Sequence, residues 1–241
     1  MNPGRCLVVF DFDHTLVDDN SDPWVLQLLR KAELEVSTMR RSGTCWTDCM
    51  QRGFRLLHQS GITRETIRER LELIPLTNSM KQTLHLLSSH PRNDVIIISD
   101  SNSVFIDIVL SHHGLSGMFK AILTNPAHFD ADGLLCVSYH CRIPHHCHRR
   151  CPPNMCKGLI LQRFLQESKS EGTCYEKVVY IGDGRGDFCA CLGLGRGDVA
   201  MARKGYSLLD MLTSASGHDE LKAELVEWSS GDDLLKFFET S

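Results

Sequence analysis

The apolar run Leu7, Val8, Val9, Phe10, followed at once by Asp11, Phe12, Asp13, His14 and Thr15, is the feature that most constrains this chain. The run is too short for a helix and reads as a strand buried on both faces of a parallel sheet. Carboxylates do not belong inside such a strand. They fit at its carboxyl end, where open α/β sheets bind ligands in the crevice beyond the strand tips. Two acids placed there repel each other and lose hydration, so the pair implies either a bound cation or a proton held by one member. A hydrated magnesium ion is the simplest cation.

Two more apolar runs repeat the arrangement. Val95 to Ile98 leads into Ser99 and Asp100, and Val178 to Ile181 leads into Asp183 and Asp187. Weaker strands are expected at 121–124 and 198–201, and Asp132-Gly133 suits a tight hairpin turn. Helical text separates the strands at about 80–88, 104–113, 159–168 and 208–212, and Ser230 with Asp233 resembles a capping box for a last helix. Residues 21–75 contain no convincing strand and read as helices, the first capped by Ser21 or Asp22 with Pro23 in its first turn, another capped by Thr63. The alternation predicts an α/β, Rossmann-like parallel sheet covered on both faces, with a helical cap inserted after the first strand. The expected division is a core of residues 1–20 and 76–241 and a cap of residues 21–75.

A net charge of −4, with no long basic stripe, argues against nucleic acid as a partner. No apolar stretch reaches membrane-spanning length, and the amino terminus lacks the pattern of a secretory signal. Eleven cysteines in 241 residues is a high and odd count for a chain far larger than disulfide-stapled mini-domains, so the expectation is a reduced, cytoplasmic protein.

Strand tips from different parts of a parallel sheet converge, so the three sets of polar residues are expected to share one site. Asp11 can attack phosphorus and form an aspartyl phosphate that water later hydrolyses, and Asp13 can protonate the leaving oxygen and then deprotonate that water. Thr15, Ser99 and Lys157 can surround the phosphoryl oxygens, the lysine offsetting their charge among so many acids.

The order DFDHT, IIISDS, a lysine and GDGRGD resembles the haloacid dehalogenase-like phosphohydrolases. Within them, the texts DFDHTLVDDNSD, IIISDSNSVFID, CPPNMCK and YIGDGRGDFC are similar, over nearly the whole chain, to the phosphoethanolamine/phosphocholine phosphatases and pyridoxal phosphate phosphatases, the second text being closer to the pyridoxal phosphate branch. The resemblance implies a haloacid dehalogenase-like core and a magnesium-dependent phosphomonoesterase of a small metabolite, pyridoxal 5′-phosphate first, phosphoethanolamine or phosphocholine next. It also implies that magnesium is held by the Asp11 side chain, the Asp13 backbone carbonyl and Asp183, with Asp187 orienting a ligand or water from outside the coordination sphere. Asp22 and Asp100 match positions that contact substrate, recognising the group beyond the phosphate. Gly186 departs from the family, which commonly carries asparagine there, and puts full activity in question.

Phosphotransfer of the mutase kind on the same fold is a rival reading, and a catalytically weakened phosphate-ligand binding protein is one from another class. His140, Cys141, His145, His146, Cys147, His148, Cys151 and Cys156 supply enough donors for a structural zinc at irregular spacing. Their alternative is a set of reduced cysteines packed near the site. Cys6 and Cys174 are expected to be small core residues.

Overall fold

The computed structural model describes residues 4–141, 145, 147, 149, 151–152 and 154–240. Eight strands appear among them: β1 (Arg5–Phe10), β2 (Asn93–Asn102), β3 (Ala121–Asn125), β4 (Ala127–Phe129), β5 (Leu135–Val137), β6 (Tyr175–Gly182), β7 (Val199–Arg203) and β8 (Glu224–Trp228). Six form one sheet in the order β3-β2-β1-β6-β7-β8, every neighbour parallel. Strand β1 lies inside, between β2 and β6, and the connections run in opposite directions along the sheet on its two sides. Its carboxyl end is therefore the topological switch point at which such sheets open a crevice.

Alternation along the strands sends side chains into two apolar layers. Val8, Phe10, Ile97 and Ile181 pack on one face, while Leu7, Val9, Ile98 and Tyr180 pack on the other. The first face is covered by α5 (Asn78–Ser89), α6 (Ser103–His112) and α11 (Gly231–Thr240), through Leu84, Leu87, Phe105 and Leu234. The second is covered by α7 (Lys157–Ser170), α8 (Arg185–Leu192) and α9 (Ser207–Thr213), through Ile160, Leu161, Ala190 and Leu208. A short α10 (Ala215–Glu220) follows α9. Both faces are dry, which is why the strands read as continuous rather than alternating apolar runs.

Residues 21–75 are helical as expected: α1 (Ser21–Leu26), α2 (Arg30–Arg41), α3 (Trp46–Gln59) and α4 (Arg64–Glu72). Thr63 caps α4 through Thr66 N–H. The cap of α1 is Asn20, whose Oδ1 accepts from Asp22 N–H; the Ser21 hydroxyl is instead bonded to Ser101 Oγ (2.9 Å), and the Asp22 carboxylate faces the indole of Trp46. Asp18 N–H donates to Pro75 O (2.8 Å), tying the chain's departure into these helices to its return.

The β4–β5 hairpin packs on α3, where one side chain bonds two backbone groups of β5. Gln51 donates to Leu135 O (3.1 Å) and accepts from Val137 N–H (2.7 Å). The hairpin loop is longer than a tight Asp-Gly turn, because the Asp130 carboxylate accepts from both Asp132 and Leu134 N–H and closes a wider loop. Three further expectations change. Strand β2 extends through Ser99 and Asp100 to Asn102, with an irregularity in its pairing to β3 after Ile98. Cys174 is exposed in the approach to β6 and is not a core residue, whereas Cys6 at the entry of β1 is half-buried and packs against the core. Strand β8, which the sequence pattern did not suggest, completes the sheet edge, and Trp228 at its end is buried.

Gln51→Ala should remove both hairpin bonds and cost about 1–2 kcal/mol, since it strands a backbone donor and acceptor. Hydrogen exchange checks this: the Val137 amide should lose protection while amides of β1 and β6 retain theirs. Unchanged protection at Val137 would show that the hairpin is held by its apolar contacts alone.

Candidate active site

At the end of β1 the backbone makes one broad helical turn, Phe12–Leu16, in which His14 adopts a left-handed conformation (φ 52°). This costs a non-glycine residue strain, and the turn is held from outside. Arg203, at the end of β7, donates to His14 O and pairs with Asp18 at 2.6 Å, its guanidinium lying 5.0–5.1 Å from the ring centroids of Trp228 and Tyr206. So held, the turn presents Asp11, Asp13 and Thr15 from one short segment.

A buried ammonium organises the acids. Lys157 Nζ, at the first residue of α7, lies 2.7 Å from Asp11 Oδ2 and 2.8 Å from Asp187 Oδ1. Asp187 is fully buried and fully engaged: Oδ1 also accepts from Tyr180 OH (2.8 Å), and Oδ2 from the N–H groups of Asp183 (3.2 Å) and Gly184 (3.0 Å). Its approach depends on Gly182, where an added Cβ would sit 2.6 Å from the Asp187 carboxylate. Asp11 Oδ1 accepts from Phe12 N–H at 2.6 Å. Asp183 receives only a long bond from Thr15 Oγ1 (3.4 Å) among the described residues.

Sequence-predicted residues therefore meet as one cluster of Asp11, Thr15, Lys157, Asp183 and Asp187. Asp13 stands a turn further on, its Oδ1 accepting from Ser21 N–H at 2.8 Å. Ser99 is wholly buried within the neighbouring strand β2, its Oγ accepting from Ser101 N–H (3.3 Å). Asp100 is exposed between the buried Ser99 and Ser101, and Asn125 holds this segment by donating to Asp100 O (2.7 Å) and Ser101 O (3.0 Å). Asp22 and Asp100 line one narrow cleft with Trp46, Thr47, Met50 and Phe54 of α3. Trp46 Nε1 donates to Asp22 Oδ2 at 2.6 Å.

Burial sets the protonation of these groups. It pushes Asp11 well above the usual carboxylate range, Asp187 adding repulsion and Lys157 opposing both. It carries Asp183 up to about 7, again with Asp187 repelling. Asp13 also rises to about 7, burial outweighing the two bonds from Ser21, and Asp22 rises through burial and the nearness of Asp13. Burial pulls Lys157 down, but Asp11 and Asp187 together hold it well above an ordinary lysine. Three buried carboxylates, Asp11, Asp183 and Asp187, have ligand oxygens within 4.8 Å of one another, against one ammonium. Such a set of hard oxygen donors with surplus negative charge suits Mg²⁺. Because Asp187 is saturated with donors, the carboxylates left to face a cation are Asp11 and Asp183.

Trp46, Tyr180, Asn125 and Arg203 were not legible as site residues. Tyr180 reads as part of an apolar strand and Trp46 as part of a helix face, and neither carries a signal of its long-range partner. Gly186 is now located beside Lys157: an added Cβ would lie 3.4 Å from its Cε and 3.7 Å from Nζ, in ordinary contact. A Cβ at this position is thus tolerated next to the ammonium.

With this geometry established, comparison with known proteins gives the class. The model of the Putative Phosphatase family matches residues 6–240. The chain belongs to this family and is a phosphatase. It is 38% identical over 239 residues to the pyridoxal phosphate phosphatase PHOSPHO2 of Bos taurus, covering 98% of each chain. It is 39% identical over 236 residues to the protein of the same name from Homo sapiens, covering 96% of each. Its fold is that of haloacid dehalogenase-like hydrolases, illustrated by one from Salmonella enterica serovar Typhi with a TM-score of 0.64 at 13% identity, over 98% of this chain and 72% of that one. No helix among the described residues is long and apolar enough to cross a membrane.

The raised carboxylates predict a pH signature. Unfolded Asp183 ionises near its ordinary 3.8, whereas the folded group keeps its proton to about 7, so the metal-free folded state holds the extra proton in that interval. Metal-free protein should therefore lose stability as pH rises from about 4 to about 7, and the gain in Tm on adding magnesium should grow across the same range. A magnesium-induced gain that is flat with pH would remove Asp183 from the ligand set.

Proposed function

We propose that this phosphatase is a magnesium-dependent phosphomonoesterase that prefers pyridoxal 5′-phosphate and works through an aspartyl phosphate on Asp11. The observation that carries the reading is the Lys157 ammonium bridging Asp11 and Asp187 at the switch point of the sheet. The identity with two pyridoxal phosphate phosphatases supports the substrate.

Asp11 attacks phosphorus as its P–O ester bond breaks, and the ester oxygen takes a proton from Asp13. Asp13, whose buried carboxyl rises to about 7, is poised to hold that proton near neutrality and then to remove one from water. The water oxygen joins phosphorus, the bond to Asp11 breaks, and inorganic phosphate leaves. Asp11 must be ionised to attack, and Lys157 supplies positive charge against its burial. Thr15, Ser99 and Lys157 surround the phosphoryl oxygens. The Asp11 side chain, the Asp13 backbone carbonyl and Asp183 hold the metal, with Asp187 orienting Lys157 and the Asp183 backbone. When bound, magnesium offsets the negative charge of the phosphoryl group.

Residues 21–75 serve as the cap, closing the site with the cleft between α3 and the strand tips. At that cleft the half-buried Trp46 offers flat aromatic surface, which suits an aromatic ring better than a short alkyl amine, while Met50 and Phe54 are buried in the core. Asp22 and Asp100 recognise the ring nitrogen or hydroxyl. The free thiols of the chain fit a reducing, cytoplasmic setting.

Asp11→Asn should abolish turnover, by at least about 10³-fold, while leaving the thermal transition in place, because the amide is nearly isosteric but a poor nucleophile. Asp13→Asn should slow poor leaving groups more than good ones. Substantial turnover by Asp11→Asn, in protein proven free of wild type, would reject the phosphoaspartate. Chelation should stop the reaction and magnesium alone restore it.

Asp22→Asn or Asp100→Asn should lower kcat/KM on pyridoxal 5′-phosphate more than on a featureless aryl phosphate, by about 1–3 kcal/mol for a lost charge-assisted bond. Equal losses on both substrates would assign these acids to the metal site or the fold.

A further inference from the structure

Away from the acids, four cysteines converge. Cys147 and Cys151 come from the loop before α7, Cys156 immediately precedes that helix, and Cys189 lies on α8. Their sulfurs all lie within 4.8 Å of one another. The individual separations are 3.7 Å for Cys147 to Cys151, 3.6 Å for Cys147 to Cys189 and 3.5 Å for Cys156 to Cys189. A metal at the centre of a regular tetrahedron with metal–sulfur bonds of about 2.3 Å requires sulfur–sulfur edges of about 3.8 Å. The observed edges match that figure to within a few tenths of an ångström. Iron–sulfur clusters hold their cysteine sulfurs around several metal atoms and need wider spacing, so the fit is to one ion.

We propose that Cys147, Cys151, Cys156 and Cys189 form a structural zinc tetrathiolate. Four soft sulfur donors in tetrahedral array select zinc over the hard cations that suit the carboxylate cluster. Binding converts four thiols to thiolates with the release of their protons, and the charge of the resulting centre is −2. Features around the sulfurs suit that charge. The Leu159 N–H is directed at Cys156, and the Arg149 guanidinium, anchored on Glu220 at 2.6 Å, lies within electrostatic reach of Cys147 and Cys189. The nearby histidines are occupied otherwise: His140 Nδ1 bonds Thr124 O (2.9 Å) and His145 Nε2 bonds Pro152 O (2.7 Å). His146 and His148 lie outside the described residues.

Gly158 shows that the two helices are built to meet at this point. An added Cβ there would sit 2.8 Å from Cys189 O and 2.9 Å from its Sγ. The site thus pins the start of α7, which carries Lys157, to α8, which carries Asp187. The four sulfurs take no part in the phosphatase chemistry, so the site is tested by metal content rather than turnover.

Full-length protein, purified without strong chelators and dialysed against zinc-free magnesium buffer, should hold about one zinc per chain by elemental analysis. A thiol-blocking mercurial should release it in step with cysteine modification. Cobalt introduced in its place should show the charge-transfer and visible bands of a tetrahedral thiolate site. Cys189→Ser should reduce zinc to under about 0.2 per chain, whereas Cys174→Ser, at an exposed cysteine outside the cluster, should retain it. Because loss of Cys189 endangers folding, Cys147→His and Cys147→Ala provide a second comparison, histidine keeping zinc and alanine losing it. Wild-type protein with less than about 0.1 zinc per chain and no cobalt–thiolate bands would overturn the site. So would iron in place of zinc, or a disulfide between any two of the four in metal-free protein of full stability.

Discussion

The Lys157 ammonium, shared between Asp11 and Asp187, is the interaction on which the rest of the site depends. A buried carboxylate is costly unless it is paired and hydrogen-bonded. Here one cation compensates two acids, and Asp187 gains three further donors that complete its shell. Removing the lysine would leave two uncompensated charges, not one weakened bond. The same pairing distinguishes the acids by what surrounds them. Asp187 is locked as a positioning group, while Asp183, with its long bond from Thr15, retains capacity for a cation.

Strand order explains why these residues can meet at all. Lys157 and Asp187 belong to segments far from Asp11 in sequence, yet β6 returns beside β1 and leads into α8, which packs on α7, so the three residues arrive at one place. The apolar strand before Asp11 supplies rigidity. Phe10 and Val9 are fully buried on opposite faces, and Asp11 N–H donates to Ile181 O of β6, leaving the acid little freedom in height above the sheet. On the other side, the departure of β2 from its pairing with β3 after Ile98 permits Asp100 to face outward while Ser99 and Ser101 stay buried.

How much of this could be read from residues follows from the range of the interaction concerned. The three acid-tipped strands were legible because burial on both faces leaves an unbroken apolar run, and Thr63 was legible as a cap because capping is local. Asn20 was not legible as the cap of α1 because the Ser21 hydroxyl and the Asp22 carboxylate are claimed by Ser101 and Trp46, partners far along the chain. Strand β8 was missed because ELVEW is only half-buried at a sheet edge, where the apolar signal is weak. The loop cysteines looked irregular for a related reason: the fourth sulfur, Cys189, comes from another helix and makes sense of the spacing only in three dimensions.

Chemistry and architecture are joined most closely through the loop before α7. Asn154 in that loop donates to Thr47 Oγ1 of α3 (3.2 Å) and to Asn125 Oδ1 (3.3 Å), and Asn125 in turn holds the Asp100 segment. Two residues later the chain reaches Cys156 and then Lys157. A shift of the loop would therefore be felt at three places together: the cleft wall on α3, the outward-facing Asp100 and the ammonium between Asp11 and Asp187. Cysteine ligation of one ion would fix the fourth side of this arrangement by fastening the loop to α8. The apolar core sets the height of Asp11, but the polar loop sets the position of the charge that compensates it, so the site needs both to be complete.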